Sequence, residues 1–302
     1  MALVLASFWL WGQYERRVEA TLGDAYKPVP LPEQPQFTTQ DVSVVVATID
    51  TPDTLPESLC QWIRNNPHEI IIVTVPRDLQ LVQSLVSQVS QAAQLTRIVT
   101  CDITNKREQL AKGIRMASGQ IIALVDDDAF WPAETVLPYL LAGFEADPSV
   151  GGVQGKQSAY IPENRRKMDE ITPWEVAAIR CLEVQNRIQA VRFAADEGCF
   201  CLVGRTMLLR SSLLKDEELL HSMCNDYWAG NKLSTGDDCF ISRWMMDKGW
   251  KFCIQNADEA EILTLIPRDS KMLLQNVRWK RSSFQSCLGI LVYCPGFFHF
   301  IR

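Results

Sequence analysis

Two carboxylate clusters carry the first chemical hint. Asp126, Asp127 and Asp128 follow the apolar run "QIIALV" at 120–125 with no basic neighbour. Asp126 and Asp128 are two apart, so in extended backbone they face the same way. Like charges that close raise each other's pKa unless a cation lies between them. Mg²⁺ or Mn²⁺, which prefer carboxylate oxygen and bridge protein acids to phosphates, would supply it. A solvated acidic loop with Asp128 as a helix cap is the plainer alternative. The second cluster is Asp237 and Asp238, placed after Gly236 at the start of an apolar helical pattern. Acids suit any helix start. A carboxylate there would also serve as general base for a weak nucleophile such as a sugar hydroxyl.

Basic and aromatic residues complete the set. Lys106 and Arg107 open a helical segment, where the macrodipole prefers acids, so an anionic ligand nearby would account for them. The alternative is an exposed basic turn. Gln275, Arg278 and Trp279 sit three and four apart, on one helix face. Arg clamps phosphate, Gln hydrogen-bonds a hydroxyl and the Trp ring stacks on a sugar. An amphipathic surface helix with a snorkelling Arg has the same pattern.

The elements that must position these groups alternate. "VSVVVATI" (42–49), "EIIIVTV" (69–75), "TRIVTCD" (96–102) and "QIIALV" (120–125) read as strands. Such unbroken β-branched runs are buried on both faces. Helical patterns lie between them, at 54–65, 78–94 and 106–118. Four alternations predict a mostly parallel sheet with helices on both faces, whose ligands bind at the strands' carboxyl ends. The triple aspartate falls at such an end. Further on, helices are predicted over 172–195, 237–249 and 267–286, and strands over 199–204 and 250–255. The chain has neither GxGxxG nor GxxxxGK[ST], which removes the main support for nicotinamide or P-loop chemistry.

The 302 residues allow one large domain, and a net charge of −6 speaks against a nucleic-acid partner. Ten cysteines occur without a CxxC pair, which points to reduced thiols and a cytosolic compartment. Both ends are apolar. "MALVLASFWLW" precedes Arg16 and Arg17, and "CLGILVYCPGFFHFIR" follows "RWKR". The first run is too short to span a bilayer, and basic flanks place membrane-associated segments on the cytoplasmic side. The expected division is an apolar segment over 1–27, a globular domain over 28–266, and an interfacial helix with an apolar tail over 267–302.

Acids after strand four, then "GDD", then QxxRW, in that order, resemble the processive glycosyltransferases of family 2, among them hyaluronan, chitin and cellulose synthases. "VVVATIDTPDTL", "NKREQLAKGI", "VDDDAFWP", "CLVGRTMLLR", "GDDCFISRW" and "QNVRW" are similar to the hyaluronan-synthase-like, type 3 polysaccharide synthase branch of fungi, over about 28–286. The resemblance implies a GT-A fold, a UDP-sugar donor, a saccharide acceptor and Mg²⁺ or Mn²⁺. It implies that Thr48 and Asp50 line the nucleotide pocket and that Lys106 and Arg107 lie near the nucleotide. Asp126 and Asp128 match the DxD pair, with Asp128 the direct metal ligand. Cys201 through Arg205, Gly204 included, match the segment beside the acceptor. Asp238 matches the catalytic base, with Asp237 beside it, and Gln275, Arg278 and Trp279 match QxxRW, the Trp also facing the acceptor. The implied reaction is an inverting transfer in a membrane-associated enzyme, its catalytic domain facing the cytoplasm.

The wording departs from the family at Val203, where Ser is common, and at "IVTVPRD", which lacks an acidic pair. Full-length relatives continue into a transmembrane channel, whereas this sequence stops at Arg302. The expectation is a fragment, or an enzyme that translocates no polymer. Two alternatives stay open: a nucleotidyltransferase on a related fold, and a non-catalytic membrane-associated remnant.

Overall fold

The computed structural model describes residues 2–293, apart from 168 and 198. The chain runs α1 (Ala2–Ala25), β1 (Val42–Ala47), α2 (Leu55–Arg64), β2 (Glu69–Thr74), α3 (Leu79–Ser87), α4 (Ala92–Leu95), β3 (Thr96–Thr100), α5 (Lys106–Met116), β4 (Ile121–Asp126) and β5 (Ala129–Phe130). It continues through α6 (Val136–Ala146), β6 (Val150–Gly155), β7 (Gln157–Tyr160), α7 (Pro173–Asp196), β8 (Thr206–Arg210), α8 (Ser211–Leu214) and α9 (Glu217–Cys224). The last elements are β9 (Tyr227–Trp228), β10 (Asn231–Lys232), α10 (Asp237–Asp247), β11 (Lys251–Gln255), β12 (Ile262–Leu265) and α11 (Lys271–Tyr293).

Seven strands form the main sheet in the order β11-β6-β8-β4-β1-β2-β3. β1, β2, β3 and β4 are mutually parallel, and β8 runs antiparallel to both β4 and β6. The β-branched runs are buried on both faces, as their composition requires. Val42, Val44 and Val46 of β1 pack with α2, α3 and α6, while Val45 and Ala47 face α5 on the other side. Gly113 lets α5 approach that face closely, since a Cβ there would lie 2.5 Å from the Val45 side chain.

The chain builds β1, β2 and β3 outward to one side, then returns to place β4 on the other side of β1. That reversal leaves a crevice at the carboxyl ends of β1 and β4, where open α/β sheets bind ligands. Register fixes what meets there, because Ala47 pairs with Asp126. Thr48 therefore emerges beside the aspartates.

Two expectations need correction, and one strand lies outside them. The strand expected at 199–204 lies instead at Thr206–Arg210, and 199–204 is a loop. The antiparallel β8 needs Met207–Leu209 between β4 and β6, so the more cysteine-rich stretch is displaced toward the crevice. The helix expected over 78–94 breaks into α3 and α4. β6 was not foreseen at all. Its "VGGVQG" has little β propensity, but β8 and β11 pair with it on both sides.

At the ends, α1 packs along α7 and leaves Phe8, Trp9, Leu10 and Trp11 exposed. No helix among the described residues is long and apolar enough to cross a membrane. Residues 294–302 of the expected apolar tail lie outside the described residues.

Candidate active site

β4 ends at Asp126, and a tight turn carries Asp127 and Asp128 into β5. The turn splits the three carboxylates. Asp127 points back toward β1, where Thr48 Oγ1 donates to its Oδ2 at 2.5 Å. Asp126 and Asp128 line a cleft of about 710 Å³. Among the described residues no hydrogen-bond donor reaches the Asp128 carboxylate, and burial beside Asp126 and Asp127 pushes its pKa up to about 7. Asp127, buried and next to Asp126, is pushed up to about 6.

Lys106 explains its own position. It is the first residue of α5, and its Nζ lies 2.7 Å from Asp126 Oδ1 and 3.3 Å from Asp237 Oδ2. One ammonium thus joins the acids of two motifs about 110 residues apart in sequence. Burial disfavours the charge on Lys106, but Asp126, Asp237 and Asp238 outweigh it and hold the pKa above the usual lysine range. Asn105 caps α5 by accepting from the Arg107 N–H at 2.9 Å, and its amide donates to the Leu233 carbonyl.

Gly236 opens α10 with φ +73°, a left-handed value that favours glycine. It turns Asp237 and Asp238 into the cleft. The Cys239 N–H donates to Asp238 Oδ1 at 2.7 Å. Burial, then the neighbouring Asp237, raises the Asp238 pKa to about 6. A carboxyl tuned that close to neutrality suits proton abstraction.

The loop 201–205 forms the cleft wall beside α10. Leu202 N–H donates to Ser242 Oγ at 3.0 Å and Val203 N–H to Gln154 Oε1 at 2.7 Å. Gly204 packs on Asp238, at a spot where a Cβ would come within 3.3 Å. Arg205 lies over the Trp279 ring, 5.2 Å from its centroid. Desolvation lowers the pKa of its guanidinium, and the charges of Asp126, Asp128 and Asp238 act against that lowering. Gln275, Arg278 and Trp279 on α11 close the cleft.

The structure therefore gathers Lys106, Asp126, Asp128, Cys201, Gly204, Arg205, Asp237, Asp238, Gln275, Arg278 and Trp279 around one space. Three residues expected at the nucleotide do not line it. Arg107 is turned away from this cleft. It is 2% exposed and donates to Asp226 and to the carbonyls of Met223, Thr235 and Gly236. Its charge organises the loop before α10. Thr48 is buried behind Asp127. Asp50, with φ 52°, is exposed and paired with Arg77 at 2.6 Å. Sequence reasoning also missed a wall of the cleft. Arg180, Gln185, Gln189 and Arg192 of α7 line it, and an ordinary polar helix face gave no signal for them.

The inner cluster holds Asp126, Asp128, Asp237 and Asp238 against Lys106 and Arg205. Excess carboxylate, with Asp128 accepting no side-chain hydrogen bond among the described residues, is a donor set that fits a hard, oxygen-seeking divalent cation.

Residues 39–282 match the family described as glycosyltransferase-like family 2. An NDP-glycosyltransferase, ltbB, of Aspergillus luteorubrus is 42% identical over 298 residues, covering 98% of this chain and 73% of that protein. A type 2 glycosyltransferase of Zymoseptoria tritici is 32% identical over 293 residues, 95% of this chain but 60% of the relative. The chain thus spans less than two thirds of that second relative's length. Among solved structures, the mannosyltransferase PcManGT of Pyrobaculum calidifontis, in complex with GDP-Man and Mn²⁺, superposes with a TM-score of 0.59. The match covers 99% of this chain and 82% of the other at 17% identity, and it shows a shared GT-A-like α/β fold.

Proposed function

The chain belongs to the glycosyltransferase-like family 2, and from that premise we propose an inverting transfer of a sugar from UDP to a saccharide acceptor. The carrying observation is the convergence in one cleft of Lys106, the two acid pairs it lies between, and Arg278 and Trp279. Asp238 is the general base. It takes the acceptor's hydroxyl proton, the freed oxygen attacks the anomeric carbon, and the bond to the diphosphate oxygen breaks. With a pKa of about 6, Asp238 is mostly ionised at neutral pH. Lys106 and Arg278 place positive charge where the diphosphate leaves, and such preorganised charge often lowers the barrier more than any other single effect. Asp126 and Asp128 would hold Mg²⁺ or Mn²⁺, which supplies further neutralisation of the diphosphate when bound. Trp279, its face backed by Arg205, offers a stacking surface to a sugar ring. Cys201 and Gly204 border the acceptor.

The reading extends to location. Exposed Phe8, Trp9, Leu10 and Trp11 on α1, with Leu273, Leu274 and Val277 on α11, suit a membrane interface. We place the enzyme on that surface with its cleft in the cytoplasm. The nucleotidyltransferase alternative loses its ground with the family, and the retained acids speak against a non-catalytic remnant. The direct test is a panel of UDP- and GDP-sugars with Mn²⁺, scoring nucleotide release and product mass. Release from UDP-sugars with inversion at the anomeric carbon supports the reading. Release from GDP-sugars alone, or retention, overturns it.

A further inference from the structure

Beside the base lies a second donor set of different chemistry. Cys201 on the cleft wall and Cys239 on α10 bring their Sγ atoms to 3.4 Å. Ligand atoms of Cys201, Cys239 and Asp238 all lie within 4.8 Å of one another. Among the described residues this is the one group of three or more Cys, His or acidic side chains so arranged. Both thiols and the carboxylate line the open cleft, so an ion has a path to them. Cys199 lines the same cleft two residues before Cys201. The two elements that carry the donors are tied to each other: Leu202 N–H donates to Ser242 Oγ, one turn along the helix that carries Asp238 and Cys239.

We propose that Cys201, Cys239 and Asp238 form a site for a thiophilic divalent cation of the zinc class, distinct from the oxygen-rich pair Asp126 and Asp128. Thiolates select such cations over Mg²⁺ and Mn²⁺. A tetrahedral ion with two metal–sulfur bonds of about 2.3 Å sets its sulfurs about 3.8 Å apart, so the thiols need part by only a few tenths of an ångström. On binding, two S–H bonds break, two S–metal bonds form, and two protons pass to solvent. Asp238 contributes one oxygen while the other keeps its hydrogen bond from the Cys239 N–H. The fourth position faces the cleft and takes water.

The consequence rests on the reading of Asp238 as base: an ion held there occupies the lone pairs that must accept the acceptor's proton. Micromolar thiophilic metal would therefore arrest transfer without displacing the donor nucleotide.

The test uses Cd²⁺, whose thiolate charge-transfer absorption in the ultraviolet reports sulfur ligation. Titration of the whole chain, reduced beforehand, should show one Cd²⁺ bound with that band and two protons released. Cys201→Ser and Cys239→Ser should each lose the band, and Cys60→Ser, on remote α2, should keep it. Excess Mn²⁺ should leave it unchanged. In the unmutated chain Cd²⁺ should also protect Cys201 and Cys239 from alkylation, a readout that needs no variant to fold. A missing band, displacement by Mn²⁺, unprotected thiols, or a Cys201–Cys239 disulfide that persists after reduction would overturn the site. If Cd²⁺ binds as described yet transfer continues at full rate, the site stands and the assignment of Asp238 falls.

Discussion

At the level of single residues the proposed transfer depends most on Asp238 and Lys106. Asp238→Asn keeps the shape but cannot accept a proton, so transfer should fall by about 10²–10⁴-fold while UDP affinity, read by calorimetry, stays within a few-fold. The rate should also follow the ionisation of Asp238, rising with pH through about 6. A flat profile between pH 5 and 8 would remove the base from this position. The same raised pKa values make a stability prediction. Asp127, Asp128 and Asp238 hold protons in the folded chain at pH values where an unfolded chain has lost them. Their contribution to stability is therefore present near pH 4 and is lost as pH rises through 6 to 7. The metal-free protein should melt higher at pH 5.5 than at pH 7.5, and Mn²⁺ should close that gap. The carboxyls held low, such as Asp147 at about 2 through its Ser149 hydrogen bonds, titrate below this window and do not reverse the sign.

Elements position these residues through a few buried polar joints. Arg107 ties the start of α5 to the loop before α10, so the two acid clusters share one rigid frame. Arg107→Ala strands Asp226 and three carbonyls, and should cost about 3–5 kcal/mol in urea unfolding. That loss would appear in stability, whereas Lys106→Ala should act mainly on donor binding. Gly204 makes the opposite case. A methyl there presses on Asp238 at 3.3 Å. Gly204→Ala should lower kcat about tenfold or more with unfolding nearly unchanged, because small displacements of a reacting group are expensive. Unaltered kcat would show that the loop 201–205 yields freely.

For the whole molecule, the open question is where the cleft works. The chain exposes aromatic and aliphatic side chains along α1 and α11, although no described helix is long and apolar enough to cross a bilayer. The protein should co-sediment with vesicles containing anionic phospholipid. A triple Phe8→Ser, Trp9→Ser, Trp11→Ser variant should lose most of that binding while nucleotide release in detergent persists. Equal sedimentation of both proteins would detach α1 from any membrane role.

The sequence by itself determined the alternating βα half of the fold and the strand-end position of the triple aspartate. Runs such as "VSVVVA" have one stable use, a strand covered on both faces. It also marked GDD and QxxRW, because their polar and charged side chains stand out against apolar helical surroundings. Only the tertiary structure decided which candidates meet. Arg107 and Lys106 are adjacent and alike in charge, yet a helix start points them in different directions, one into protein carbonyls and one between two acids. β6, the antiparallel β8 and the α7 wall were illegible for a related reason. Their places depend on pairings between distant segments, and local composition does not encode a partner that lies far away along the chain.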